Sequence, residues 1–250
     1  MKLSHDDIER LAVSTLTRFM GELTSREKWV KPINIETLAM HQLGLTLDYT
    51  RLDDFGKLPS ITTYADTEIK LRQYLRDAKI AVPANTIVLD EKLRAPAYPR
   101  ADTELFKRRF RIAHGCAHQI LHRAAPAQER AKMDASYIGR VLSMSEFNSL
   151  SDWREWQANA LAAALLMPGK YLALLLRHRR LKFYGNRLNQ PDKLALANIC
   201  DRLKVSQTAM TLRLCQTGYA SKLPANEYFD PTDIECDDDF FNAQASAISV

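Results

Sequence analysis

Glycine is scarce in this chain, with 8 residues in 250, where a usual share is about 7%. No two glycines are spaced two apart, so the sequence has no GxGxxG dinucleotide fingerprint and no Walker-type phosphate loop. A GxSxG nucleophile elbow is missing as well, which excludes a third large enzyme class. Few turn formers favour helices over tight-turned sheets. Cysteine is also sparse. Cys116, Cys200, Cys215 and Cys236 include no CxxC pair, and a 28.5 kDa chain needs no disulfide staples, so reduced thiols are expected. Long apolar runs are absent too. The most membrane-like stretch, residues 160–176, carries Pro168, Gly169 and Lys170 at its middle, and it reads as buried helix rather than a span. Asp6, Asp7, Glu9 and Arg10 interrupt the first ten residues, which argues against an export signal and for a cytoplasmic location.

What is present is an uneven charge. The net value is +5, but from residue 220 onward seven acids face a single Lys222, a balance of −6 that leaves +11 on residues 1–219. The body is basic. The acidic segment, 220–250, has little to bury and is expected to be a mobile tail.

Apolar spacing suggests an opening helix over residues 6–22, with Ile8, Leu11, Ala12, Leu16 and Phe19 on one side. A short helix over 34–43 stops at Gly44. Residues 45–52 alternate in the period-two manner of a half-buried strand, and 61–64 and 86–89 are shorter strand candidates. The charged segment 67–79 between them has no decisive pattern and is compatible with helix. From Asp102, a candidate N-cap, the residues Phe106, Phe110, Ala113, Ala117, Ile120 and Leu121 form one stripe of a long helix ended before Pro126. Its other side carries Lys107, Arg108, Arg109 and Arg111, read as a solvated face. Residues 155–167 are apolar nearly all round, a central helix opened by Glu155 and broken by Pro168. Pro191 opens another helix, and Ser206 caps a last one that stops by Gly218. This helix-turn-helix-like pair either closes the core or, with Gln207, Thr208, Thr211 and Arg213 exposed, reads DNA.

The chemistry sits on the long helix, at His114-Gly115-Cys116-Ala117-His118. Four residues turn about 400° in a helix, so both imidazoles share one face, one turn apart, able to chelate one ion. His122 continues the series but lies about 12 Å from His114 along the axis, which suits a supporting role. Two imidazoles bind zinc weakly without a third ligand. Glu155 is the candidate, because an acid against an apolar core is costly unless paired. Its alternative reading is an ordinary N-terminal acid favoured by the helix dipole. Asn159, one turn on, is placed to orient the carboxylate. Cys116 points about 200° from His114 and is a poor candidate for ligand or nucleophile.

These residues resemble the ImmA/IrrE metallopeptidases. Residues 109–122, RFRIAHGCAHQILH, are similar to that family's active helix, which usually reads RFTLAHELGHYLLH. Residues 155–168, EWQANALAAALLMP, resemble its second motif, ExxANxFAAxLLMP, and the Leu196-Ala197, Val205-Ser206 and Arg213-Leu214 pairs resemble its closing helices. The likeness runs over about 32–219, including the helical pair 191–217, after an N-terminal helical segment, 1–31. It implies an α+β, mostly helical, zincin-like domain with a small sheet beside the metal helix. It also implies a zinc ion held by His114, His118 and Glu155, and a helix-turn-helix repressor as partner.

One position departs from the family's pattern. Gly115 stands where the family carries the glutamate that acts as general base, and glycine can neither accept nor deliver a proton. A missing general acid/base is worth typically 10²- to 10⁴-fold, about 3 to 5.5 kcal/mol of barrier. No catalytic residue is therefore assigned. The favoured expectation is a zinc-binding, metallopeptidase-like protein that engages a repressor with hydrolysis weak or lost. The alternatives are an active peptidase using a replacement base, with Glu129, Asp134 and Glu146 as candidates, and a DNA-binding regulator using residues 206–215, supported by Arg177, Arg179, Arg180, Lys182 and Arg187.

Overall fold

The computed structural model describes residues 3–21, 30–52, 58–73, 76–94, 102–123, 150–177 and 179–227. The candidate bases Glu129, Asp134 and Glu146, and the acidic segment beyond 227, lie outside them. Helix α1, His5–Met20, begins in a capping box in which the Ser4 and Asp7 side chains and backbone N–H groups bond reciprocally. Its residues Ile8, Ala12 and Leu16 are buried in the main core. Helix α2, Ile35–Thr37, is capped by Asn34 and runs into a π-helical turn, Leu38–Gln42.

A three-stranded sheet follows, formed by β1 (Thr46–Thr50), β2 (Ser60–Thr62) and β5 (Thr86–Asp90), with β5 in the middle, parallel to β1 and antiparallel to β2. All of β5 is buried. Its pleat divides the interior: Ile87 and Leu89 join the main helical core, whereas Val88 joins a smaller cluster with Leu52, Ile61, Leu71 and Val82. That smaller cluster includes residues of a hairpin, β3 (Thr67–Gln73) and β4 (Arg76–Val82). The described residues of the segment 67–79 are thus strand rather than helix. The reason is visible in the pairing: Ile69 lies opposite Ile80 and Thr67 opposite Val82, so the apolar residues alternate with Glu68 and Lys70 at period two. Glu68 accepts an ion pair from Lys79 at 2.7 Å on the exposed side. Charged residues on that side hid the alternation from a helix-biased reading.

Helix α3, Asp102–His122, packs against β2, β5 and, most extensively, helix α4, Leu150–Leu166. Residues 160–166 of α4 are buried without interruption, the signature of a helix apolar on every side. Helix α5, Gly169–Leu176, follows Pro168 at a 50° bend. Among the described residues no single helix is long and apolar enough to cross a membrane. Helices α6 (Gln190–Leu203) and α7 (Gln207–Gln216) form the expected pair, with Lys204 in the left-handed conformation between them and Ser206 capping α7. Ala220–Leu223, grouped by composition with the acidic segment, instead forms β7 parallel to β6 (Leu181–Tyr184).

Several arginines are structural, which corrects the solvated-face reading of α3 for Arg108, Arg109 and Arg111, whereas Lys107 is exposed as expected. Arg109 is buried, and its guanidinium donates to Ile33 O at 3.0 Å and to Lys204 O at 3.1 Å, where it satisfies a carbonyl left open at the C-terminus of α6. Arg108 pairs with Glu36 at 2.9 Å and donates to the Tyr49 hydroxyl at 2.8 Å. Arg213 is not exposed on α7 either. At 2% exposure it pairs with Glu9 of α1 and donates from Nε to Met167 O at 3.1 Å, locking three helical segments together. Arg179 is similarly paired with the buried Asp192. Glu9 keeps about a third of its side chain exposed, at 32%, so the loss of Arg213 leaves no buried charge behind, and what is lost is its charged hydrogen bonding, worth about 1.5–3 kcal/mol. Arg213→Ala is therefore expected to lower stability by about that amount in urea unfolding; a loss below about 0.5 kcal/mol would show these contacts to be dispensable.

Candidate metal centre

The α3–α4 contact builds the site. His114 and His118 extend from one face of α3, their rings edge to face with centroids 4.5 Å apart. Glu155 reaches them from α4. The expectation that Glu155 opens its helix is corrected: α4 begins at Leu150, so Glu155 lies more than a turn inside and its charge is not explained by the dipole of the first turn. The two Nε2 atoms are 2.9 Å apart, Glu155 Oε1 is 3.1 Å from His118 Nε2, and Oε2 is 3.3 Å from His114 Nε2. All three side chains are largely buried, at 7%, 15% and 9% exposure in chain order.

The electrostatics favour a cation among them. Burial, reinforced by the neighbouring His118, pushes the His114 pKa below its ordinary value, against the pull of Glu155. Burial alone would raise the Glu155 carboxyl, but hydrogen bonds and charge from His114 and His118 outweigh it and bring the group down to about 2. At neutral pH this gives a carboxylate and a neutral His114 converging with His118 at one point, more lone pairs than the available N–H donors satisfy. Glu155 Oε2 has no aligned hydrogen bond. A tetrahedral site with metal–ligand arms of about 2.0–2.1 Å has ligand–ligand edges near 3.3 Å, close to the separations found. Two imidazoles, a carboxylate and an open position are the donor set of a catalytic metal site. The residues fit such an ion.

The neighbouring candidates divide. His122 is buried with its ring centroid 5.6 Å from that of His118, its Nε2 has no partner, and burial holds its pKa down at about 4. Asn159 is half-buried, and no hydrogen bond joins it to Glu155. Cys116 is fully buried in the core and its thiol is pushed well above the usual range by burial, so it faces away from the ion as its helical angle requires. The buried Nδ1 of His114 has no acceptor, so packing rather than a second hydrogen bond fixes that ring.

Two residues near the centre escaped the sequence reading. Arg111 is half-buried one turn before His114 and acts electrostatically on both His114 and Glu155; burial lowers its own pKa, and Glu155 opposes that. Its signal was the departure from threonine in the family's RFTLAHE. Ile87, far away in sequence, packs directly under Gly115, and nothing in a single sequence links those two positions.

Residues 100–214 match the family model of the IrrE N-terminal-like domain, Peptidase_M78, a metallopeptidase family. No curated protein matches the chain significantly.

Two outcomes follow from the geometry. His114→Ala, His118→Ala and Glu155→Ala are each expected to weaken divalent-metal binding by more than the 10–100-fold typical of outer-shell partners, measured by competition with a chromogenic chelator; unchanged affinity in all three would remove the site. In the metal-free protein the Glu155 carboxyl has a folded pKa below its ordinary value of 4.5. Its stabilising contribution is therefore complete above that value and is lost as pH falls from 4.5 toward about 2. The stability difference between the native chain and Glu155→Gln is expected to shrink over that interval in urea titrations, and a difference that stays constant there would refute the assignment.

Proposed function

With residues 100–214 belonging to the ImmA/IrrE metallopeptidase family, we propose that the protein is a zinc-binding, metallopeptidase-like receptor for a helix-turn-helix transcriptional repressor, with peptide hydrolysis weak or lost. The observation that carries this reading is the buried convergence of His114, His118 and Glu155 beside a glycine at 115. Zinc held there would supply Lewis acidity to a peptide carbonyl. The chain's own residues supply the rest: His114 and His118 present nitrogen donors from one rigid helix face, Glu155 closes the ligand set from a second helix, and the surrounding apolar core keeps all three in place. What this set lacks is a proton carrier. At residue 115 there is no side chain to take a proton from an attacking water or return one to the leaving amine, and that deficit is worth about 10²- to 10⁴-fold.

The reading as an active peptidase with a replacement base rests on Glu129, Asp134 or Glu146, none of which falls within the described residues. The DNA-binding reading loses Arg213, which is buried, but keeps Gln207 and Thr208 exposed on α7, and Arg179, although paired with Asp192, leaves 45% of its side chain exposed.

The deciding experiment incubates the zinc-loaded full chain with the helix-turn-helix repressor encoded beside its gene. Complex formation without cleavage is expected, or cleavage at least about a hundredfold slower than general-base catalysis would give. Rapid cleavage that disappears in His118→Ala would establish the active alternative, and absence of any complex would overturn the receptor role.

A further inference from the structure

We propose that Ile87 and Gly115 form a steric lock that closes the general-base position to every residue except glycine. The direction of a Cβ is fixed by the backbone, whatever side chain follows. At residue 115 that atom would lie 2.6 Å from Ile87 Cδ1, 2.8 Å from Cγ1 and 3.0 Å from Cγ2, where carbon atoms normally stay about 3.5–4.0 Å apart.

Cδ1 is the end of the side chain and can move by rotation about χ2, but Cγ1 and Cγ2 are bonded directly to Cβ and cannot. All three atoms belong to a β-branched residue, stiff at χ1, and rotation about that bond exchanges one close branch for the other. Ile87 is fully buried on β5, the middle strand, with Leu47 and Thr62 as its register partners on either side. Gly115 is buried on α3, in the turn between His114 and His118. Strand and helix cannot separate there without moving the metal ligands.

The consequence deepens the functional reading and rests on it for its catalytic half. Loss of the carboxylate at 115 is not a single-residue change waiting to be reversed, because the space for the first carbon of a glutamate side chain is filled by the sheet. The lock also explains a glycine in mid-helix, a residue that ordinarily weakens a helix relative to alanine.

The test is a double-mutant cycle on the metal-free full chain, read as thermal midpoints of Gly115→Ala, Ile87→Ala and the double variant. In the native background Gly115→Ala is expected to lower the midpoint, against its helix-propensity advantage. In the Ile87→Ala background the same change is expected to raise it, because the propensity gain then acts unopposed. If Gly115→Ala raises the midpoint in the native background, the lock does not exist. Should Gly115→Ala fail to fold, recovery of folding in the double variant supports the lock and failure to recover refutes it. A second arm follows cleavage of the neighbouring repressor by zinc-loaded variants. Cleavage by Ile87→Ala/Gly115→Glu, with Gly115→Glu alone inert, supports the lock; equal cleavage by both overturns it. If the midpoints behave as expected but neither variant cleaves, the lock stands on its stability evidence and the peptidase ancestry of the site is what fails.

Discussion

The packing of α3 on α4 is the constraint on which the rest depends. Each helix alone carries an incomplete donor set: two imidazoles on one, a carboxylate on the other. Only a close, fixed crossing brings Oε1 and Oε2 within 3.1 and 3.3 Å of the ring nitrogens. Buried alanines on both sides, Ala113 and Ala117 on α3 and Ala158 and Ala162 on α4, suit such an approach, because small side chains let helix backbones come near. The surrounding leucines and the α1 helix complete a core in which a charged carboxylate would be costly without a partner.

Around that crossing, several arginines are put to structural use. Arg109 satisfies carbonyls at the end of α6, Arg213 ties α7 to α1 and to the end of α4, and Arg179 is paired with Asp192. These contacts fasten the helical pair to the rest of the helical core, so the pair forms part of the scaffold around the candidate site. Arg111 is different. It remains beside the candidate site, where its charge disfavours the protonated form of His114 and is itself favoured by Glu155. With glycine at 115, Arg111 is the charged side chain on α3 that acts on this cluster.

Much of this was legible in the residues themselves. The His-x-x-x-His spacing needs only the 3.6-residue turn to place both rings on one face, and an isolated acid in the apolar run 155–167 announces a partner. The observed strands 46–50 and 86–90 were legible as the alternating run 45–52 and the short candidate 86–89. The hairpin 67–82 did not, because its exposed charges masked the period-two pattern, and neither did the true start of α4.

The sequence by itself determined the His-x-x-x-His helix face, the residue types of the candidate site and the glycine at 115, since each is a property of local spacing or of a single side chain. Only the tertiary structure decided that Glu155 meets both imidazoles, that Arg109 and Arg213 are buried ties, and that Ile87 lies 2.6–3.0 Å from where a Cβ of residue 115 would stand. Those facts depend on contacts between residues far apart along the chain, and the packing of a sheet under a helix is set by the whole core at once, so no local pattern encodes it.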